Sequence, residues 1–517
     1  MRAADLRSSP ARPRRWALPE VDPSRIETMS RVAIFVALGI VAGVLGTVSP
    51  LVLVIGVAAL GAVLLFAWRG RPLRIFYQAL VALLIGYAFL GRGLAHIGVP
   101  PLYVGEMVLG LGVIATAMTV RELKGGPIRI LIVIFMAWGA LQTIPYVGRY
   151  GVDAFRDAVS WGYAIFALMI SLLITGKHFD RILGIYRAVI PLYLVWVPAM
   201  LLFSRSSLAD ASGDDYSILG AKPGDMGVLL AGIAAFALLG LYSSPPKPRV
   251  PEPIMWLLWL PAAATVAIYN RGGLLAMAAT GAVVLFLRLP QRWLPPIFFS
   301  LLIGVILIFV NPTMDVGAGR TLSVSQFVDN ITSIVSDGDS SALEGTKEFR
   351  LAWWGKIIDY TVDGPFFWTG KGFGINLADD DGFQITADHS LRAPHNGHIE
   401  ILARAGVPGF VMWILLNAAI GISLLVAANG ARALGRTRWV AINGWLFVAW
   451  AAALVNSAFD PYLEGPQGGI PFWVIVGLAI VAIEASTAPA DDAATAVELP
   501  AEPAGRRSAR TPSPRPA

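Results

Sequence analysis

The sequence predicts an all-α fold: a polytopic integral membrane helix bundle of about 12–14 transmembrane helices, with one large extracytoplasmic loop that contains helices of its own. Three observations predict it. Apolar residues make up 56% of the 517 residues and charged residues only 14%, against roughly a quarter charged in a soluble domain. Apolar runs long enough to cross a hydrocarbon layer about 30 Å thick recur along most of the chain. Backbone groups in lipid must be paired within their own segment, so these runs are helices rather than open strands. With no cysteine in the chain, neither a disulfide nor a thiolate site is available.

Taken in order, residues 1–30 carry Arg2, Arg7, Arg12, Arg14, Arg15 and Arg25 among prolines. They read as a disordered basic tail held in the cytoplasm. No charged n-region with a small-residue cleavage site precedes the first span, so no cleaved signal peptide is expected. Residues 31–311 form the N-terminal membrane domain, with spans at 32–48, 51–68, 75–91, 101–120, 127–146, 158–175, 183–203, 225–242, 254–270, 272–288 and 294–311. Residues 312–404 form the large extracytoplasmic loop with the catalytic elements, and 405–485 the C-terminal spans at 405–427, 439–458 and 470–485. The tail 486–517, rich in Ala, Pro and Arg, is expected to be disordered in the cytoplasm.

Charge supports this alternation. With the N-terminus inside, the inner loops collect Arg69, Arg71, Arg74, Arg121, Lys124, Lys177, Arg181, Lys247, Arg249, Arg288, Arg292, Arg432, Arg436 and Arg438. The short outer loops carry only Arg92, Arg149, Arg156, Arg205, Lys222 and Arg271. The bias has the sign that the positive-inside rule requires, and the net charge of +6 is read as topology rather than nucleic-acid binding.

The long outer loop is more than a connection. Asp329 to Gly345 is rich in Ser, Asp and Gly and is expected to be mobile. From Lys347 onward Phe349, Trp353, Ile357, Trp354 and Ile358 recur at helical spacing, predicting a helix that ends at Gly364-Pro365. It is expected to lie in the membrane interface with its tryptophans at headgroup depth and Arg350 and Lys356 near phosphates. A Gly-rich turn (Gly370, Gly372, Gly374) follows, and then His395, just before the next apolar segment.

Each candidate residue has a plainer reading beside the functional one. Arg271, between two spans in YNRGGLL, is either a snorkelling arginine or a functional one. Arg156 has Asp153 and Asp157 on its own turn. Arg350 is either a solvated charge or a phosphate ligand. Their arrival on one side shifts the balance, because guanidinium groups bind phosphate bidentately and stay charged, which suits a pyrophosphate. His395 and His398 lie three apart and share a helical face. With Glu400 as a third group they still lack the pattern of a zinc site, so no metal is expected. Asp379-Asp380-Asp381-Gly382 lacks the spacing of a calcium loop and reads as a solvated turn. Glu464, on the last outer loop, is a candidate partner for one of the arginines.

These segments resemble the O-antigen ligase / O-antigen polymerase family of bacterial membrane glycosyltransferases. The resemblance covers roughly residues 75–485 and is strongest over 260–475. It is carried by Arg271-Gly-Gly-Leu-Leu at a span start, by Arg350 followed by Trp353 and GKGFG, and by His395-Asn396 followed by Gly406 and Gly409. LEGP at 463–466 completes it. The resemblance implies an inverting, metal-independent glycosyltransferase of the C type with no cofactor. Its donor would be a polyprenyl-diphosphate-linked glycan, and its acceptor a hydroxyl on a glycan, lipid or protein, at the outer face of the cytoplasmic (inner) membrane. Arg271 and Arg350, and beside them Arg156, would stabilise the leaving diphosphate. His395 would act on the acceptor hydroxyl as base or orienting group, with Asn396, His398 and Glu464 around it. The alternatives are a transporter of a polysaccharide or small anion, which calls for charges near mid-span and internal repeats, and a non-catalytic scaffold.

Overall fold

Each apolar run in the described part of the chain becomes a helix. The computed structural model describes residues 72–100, 102–122, 124–203, 222–286 and 341–488, with 296–297, 300, 314–315 and 321–322. The expected spans at 32–48 and 51–68, the N-terminal tail, most of the span at 294–311, most of the segment 312–340 and the tail beyond residue 488 lie outside the described residues.

The helices are α1 (Pro72–Leu90), the short α2 (Arg92–Ala95), α3 (Val104–Thr119), α4 (Pro127–Tyr150), α5 (Val152–Gly162), α6 (Ala164–Leu173), α7 (Phe179–Phe203), α8 (Pro223–Leu238), α9 (Glu252–Tyr269) and α10 (Arg271–Phe286). After them come α11 (Ser341–Val362), the short α12 (Leu377–Asp381), α13 (Gly397–Ala433), α14 (Thr437–Ser457) and α15 (Pro466–Thr487). The strands among the described residues are two antiparallel pairs of two residues each, Gly98–Val99 with Leu102–Tyr103 and Met314–Asp315 with Thr321–Leu322. The protein is an all-α polytopic membrane protein: among the described residues six helices are long and apolar enough to cross a bilayer, or seven counting α5 and α6 as one span bent by 45°. Three shorter apolar helices accompany them, at Val104–Thr119, Pro223–Leu238 and Glu252–Ala267.

The outer faces of the long helices are apolar. Leu141, Ile144, Leu192, Ile422 and Val426 are all exposed, which in a membrane protein is the surface offered to lipid. The inner faces pack in two ways. Around α13 and α15, Trp413 meets Phe135, Phe472 and Trp473 in a buried aromatic group. Between α8 and α10 glycines let the backbones touch: a Cβ at Gly227 would fall 2.4 Å from Gly273 Cα, the close approach typical of small-residue helix contacts in membranes.

The bundle has two polar ends. At one, Arg129 of α4 is buried, donating to Ser171 and reaching Glu484 of α15 at 2.5 Å, while Arg438 pairs with Asp180 and Arg436 donates to the Ser486 and Ala488 carbonyls. His395 lies at the other. There α11 forms a second, smaller core: Trp353 and Ile357 are buried against Leu377, Ala378, Leu402 and Ala403, with Trp353 stacked on Phe383 at an interplanar angle of 4°. This corrects the expectation of interfacial tryptophans. Trp353 faces inward because the chain from 375 to 403 folds over it, and Trp354 is half-buried with its indole N–H on the Pro394 carbonyl.

Candidate functional site

His395 sits one residue before the cap of α13. Its φ is +54°, a left-handed backbone uncommon outside glycine although histidine tolerates it better than most. Two contacts fix that turn. The Asn396 side-chain oxygen accepts the His398 and Ile399 amides at 3.0 and 3.2 Å, capping α13. On the other flank Trp354 holds the Pro394 carbonyl at 2.8 Å.

Cations surround the ring. Burial and the charge of Arg350 push the His395 pKa down to about 4, with Asp460 acting the other way and Lys222 and Arg92 adding to the depression. The imidazole is therefore neutral at pH 7, with a free lone pair. These groups come from five places in the chain: Arg350 from α11, Lys222 from the cap of α8, Arg92 from α2, Asp460 from the turn after α14, and His395 itself. Lys222 pairs with Asp460 at 2.8 Å, and Arg350 donates to the Phe459 carbonyl at 3.2 Å.

Arg271 opens α10, and its backbone arrives at the same turn. Asn270 accepts the Gly273 amide at 2.7 Å and starts the helix. A Cβ at the intervening Gly272 would lie 3.2 Å from Phe459 Cβ and 3.3 Å from Asn456 Oδ1. Asn456 is fully buried, and neither atom of its amide has a hydrogen-bond partner among the described residues. Such an atom pair is an unusual thing to leave in a protein interior. The turn at Asn456–Asp460 is thus where the backbone start of α10 meets Arg350 and Lys222, with the Asp460 charge acting on His395.

The other candidates lie elsewhere. His398 points into the bundle, its Nδ1 accepting from Trp413 at 3.0 Å and its Nε2 facing the Leu454 carbonyl at 3.1 Å, so both ring nitrogens are used in packing α13 against α14. Arg156 is exposed and stands 4.0 Å from Asp153, one turn away. Glu464 is half-buried beside a separate ion cluster. There Arg404 of α13 meets Glu400 at 2.6 Å and Asp157 of α5 at 2.9 Å, and Arg392 approaches Asp157 at 3.3 Å. Burial and the neighbouring Glu400 push the Glu464 pKa well above the usual carboxylate range.

That cluster positions the site. Asp157 also accepts the Gly374 amide at 3.0 Å and Arg392 donates to the Gly374 carbonyl at 3.0 Å, while Lys371 and Gly372 donate to the Ala403 and Arg404 carbonyls. The Gly-rich turn is therefore a backbone clamp between α5 and the first turns of α13, and it bears on the Gly406 kink (φ 68°). Asp379–Asp381 needs a correction as well. Asp381 is buried, taking the Trp353 indole at 2.7 Å and pairing with Lys371 at 2.5 Å, so the triplet is a structural ion cluster, with the exposed Asp380 also pairing with Lys371 and the exposed Asp379 bonded to His389 and Gln384. Among the described residues no group of three or more His, Asp or Glu side chains is gathered to hold a metal ion.

Comparison with protein-family descriptions finds O-antigen ligase over residues 256–414. This segment belongs to the O-antigen ligase family. It holds Arg271, Arg350 and His395, and the earlier resemblance rests on the same residues. Comparison with curated proteins finds no match. With its apolar helices, the O-antigen ligase segment makes this a multi-pass membrane protein with a glycosyltransferase-like role in polysaccharide biosynthesis. Lys222, Arg92 and Asp460 lie outside the O-antigen ligase segment, yet they complete the charge around its histidine. Sequence reasoning counted Lys222 and Arg92 only as loop charges and did not single out Asp460 or Asn456.

Proposed function

We propose that this protein moves a polyprenyl-diphosphate-linked glycan to an acceptor hydroxyl by a single, inverting displacement that requires no metal. The observation that carries this reading is a neutral imidazole set among Arg350, Lys222 and Arg92 inside a chain with an O-antigen ligase segment. The acceptor oxygen attacks the anomeric carbon of the donor's first sugar. As that bond forms, the bond from the anomeric carbon to the diphosphate oxygen breaks and its electron pair leaves with the lipid diphosphate. Negative charge grows on the leaving oxygen, and fixed cations in a partly dehydrated site stabilise it. His395 Nδ1 or Nε2 takes the proton from the attacking hydroxyl. Attack opposite the leaving group inverts the anomeric centre.

A histidine held near 4, chiefly by burial and then by Arg350, is a weak base, and the bound donor would relieve the part that the cations cause. A diphosphate lying among Arg350, Lys222 and Arg92 offsets the cations that depress the ring, so His395 gains basicity when the substrate is in place. Arg271, which starts α10 beside Phe459, is assigned to the same anion.

The test is glycan transfer in proteoliposomes, with a polyprenyl-diphosphate oligosaccharide as donor and a chelator present. His395→Asn keeps a side chain that tolerates the left-handed backbone and is expected to lower transfer by about 10²-fold or more. Arg271→Ala and Arg350→Ala are expected to lower it as well. Product length then separates a ligase, which adds one block, from a polymerase, which lengthens it. Undiminished transfer in all three variants would remove this site from the reaction, and movement of labelled glycan across the bilayer without donor consumption would make the protein a transporter.

A further inference from the structure

Helix α11 is apolar on two opposite faces. Trp353 and Ile357 are buried in the small core. On the other side Leu351, Ile358 and Val362, spaced by seven and four residues and so on one stripe, are 53%, 41% and 44% exposed. Just beyond the helix, Trp368 is 68% exposed. A soluble protein seldom leaves such a stripe and a tryptophan open together.

The place of this stripe in the fold identifies what covers it. Phe367, next to Trp368, gives its carbonyl to the Val407 amide at 2.8 Å, and the Trp368 backbone lies against Gly406. From Val407 down α13, the exposed residues Val411, Ile414, Leu415, Ile422 and Val426 follow at helical spacing on one face. That face belongs to a span and looks into lipid. Trp368 stands at its upper end, and indole rings favour the boundary between headgroups and acyl chains. Leu402 and Ala403, on which α11 rests, lie on α13 just before its kink at Gly406. Trp368, six residues after Val362, thus joins the end of the α11 stripe to the top of the exposed apolar face of α13.

We propose that the outer face of α11, with Trp368, is a membrane-contacting surface, resting at the boundary of headgroups and acyl chains in the leaflet on the His395 side. This holds whether or not the protein is a transferase. If it is, the contact also sets the height of Arg350, carried on the same helix, at the level where a lipid diphosphate lies.

The chain has no cysteine, so single nitroxide labels report without background. Cysteines at Leu351, Ile358, Val362 and, as an aqueous reference, Ile385 (72% exposed) are labelled and reconstituted into phosphatidylethanolamine–phosphatidylglycerol vesicles. Collision with membrane-soluble oxygen and with a water-soluble nickel chelate is then measured. The expected result is an oxygen-to-nickel accessibility ratio several-fold higher at Leu351, Ile358 and Val362 than at Ile385. Equal ratios at all four positions would put the stripe in water and overturn the proposal. Low accessibility to both quenchers would mean that protein covers it, a second copy or another part of this chain, and would overturn it equally. Should oxygen contact be found while the transfer assay fails in wild type, the surface stands and the enzyme reading falls.

Discussion

His395 carries the sharpest consequence of the site's electrostatics. Its folded pKa of about 4 lies below the roughly 6.5 of an unfolded histidine, so between those values the unfolded chain binds the extra proton. Stability is therefore full above about pH 6.5 and declines as the pH falls toward 4. Activity follows a different rule in the free and the loaded protein. The acid limb of kcat/KM reports the donor-free state, and that of kcat the complex. Because the diphosphate offsets Arg350, Lys222 and Arg92, the acid limb of kcat is expected at a higher pH than that of kcat/KM. Rate profiles at saturating and limiting donor measure both. Coincident limbs, or a limb unchanged in His395→Asn, would show that the titrating base is another group.

At the scale of elements, the Gly-rich turn decides whether α5, α11 and α13 meet in register. Gly370 has φ +60°, and a Cβ there would lie 2.4 Å from the Arg404 carbonyl carbon, in backbone that has little freedom to move. Gly382 has φ +76° but nothing within 4 Å of its Cβ position. Gly382→Ala is therefore expected to cost about 1–2 kcal/mol for the left-handed backbone alone. Gly370→Ala adds displacement of α13 and is expected to cost more, lowering the unfolding temperature in detergent further and reducing transfer. Equal losses in the two variants would mean that the clamp does not bear on the site. The same turn shows where sequence reading stops. Long apolar runs announce their helices, and each span expected within residues 72–286 and 397–488 meets one. His395 and Arg271 stood out as polar groups at span ends, and Arg350 on the amphipathic helix of the outer loop. The bond from Asp157 to Arg404 did not, because no periodicity links residues so distant in the chain. Trp353 was given to the membrane surface since half its helix is apolar on each side, and one sequence cannot say which side meets protein. Asn456 was hidden inside an apolar run.

At the scale of the whole molecule, the charge at the polar ends of the bundle predicts the side of the membrane each would occupy. Arg129, Lys177, Arg181, Arg436 and Arg438 gather at the end opposite His395, with Asp180 and Glu484 as acidic partners there. By the positive-inside rule that end is expected in the cytoplasm, which would put His395, Arg350 and Lys222 outside, the side on which the proposed lipid-linked donor would be met. The orientation is open to a direct measurement because the chain lacks cysteine. Ile385, on the His395 side, and Leu434, just past the far end of α13, are 72% and 59% exposed, so Ile385→Cys and Leu434→Cys are each reachable by an aqueous reagent. A membrane-impermeant maleimide is expected to label Ile385→Cys in intact expressing cells and Leu434→Cys only after permeabilisation. The reverse pattern would turn the molecule over, and with it the source of the donor: the cation cluster would face the cytoplasm, where soluble nucleotide sugars compete for the same guanidinium groups. Labelling of both positions in intact cells would contradict a single orientation, and the charge bias would then no longer explain how the bundle is inserted.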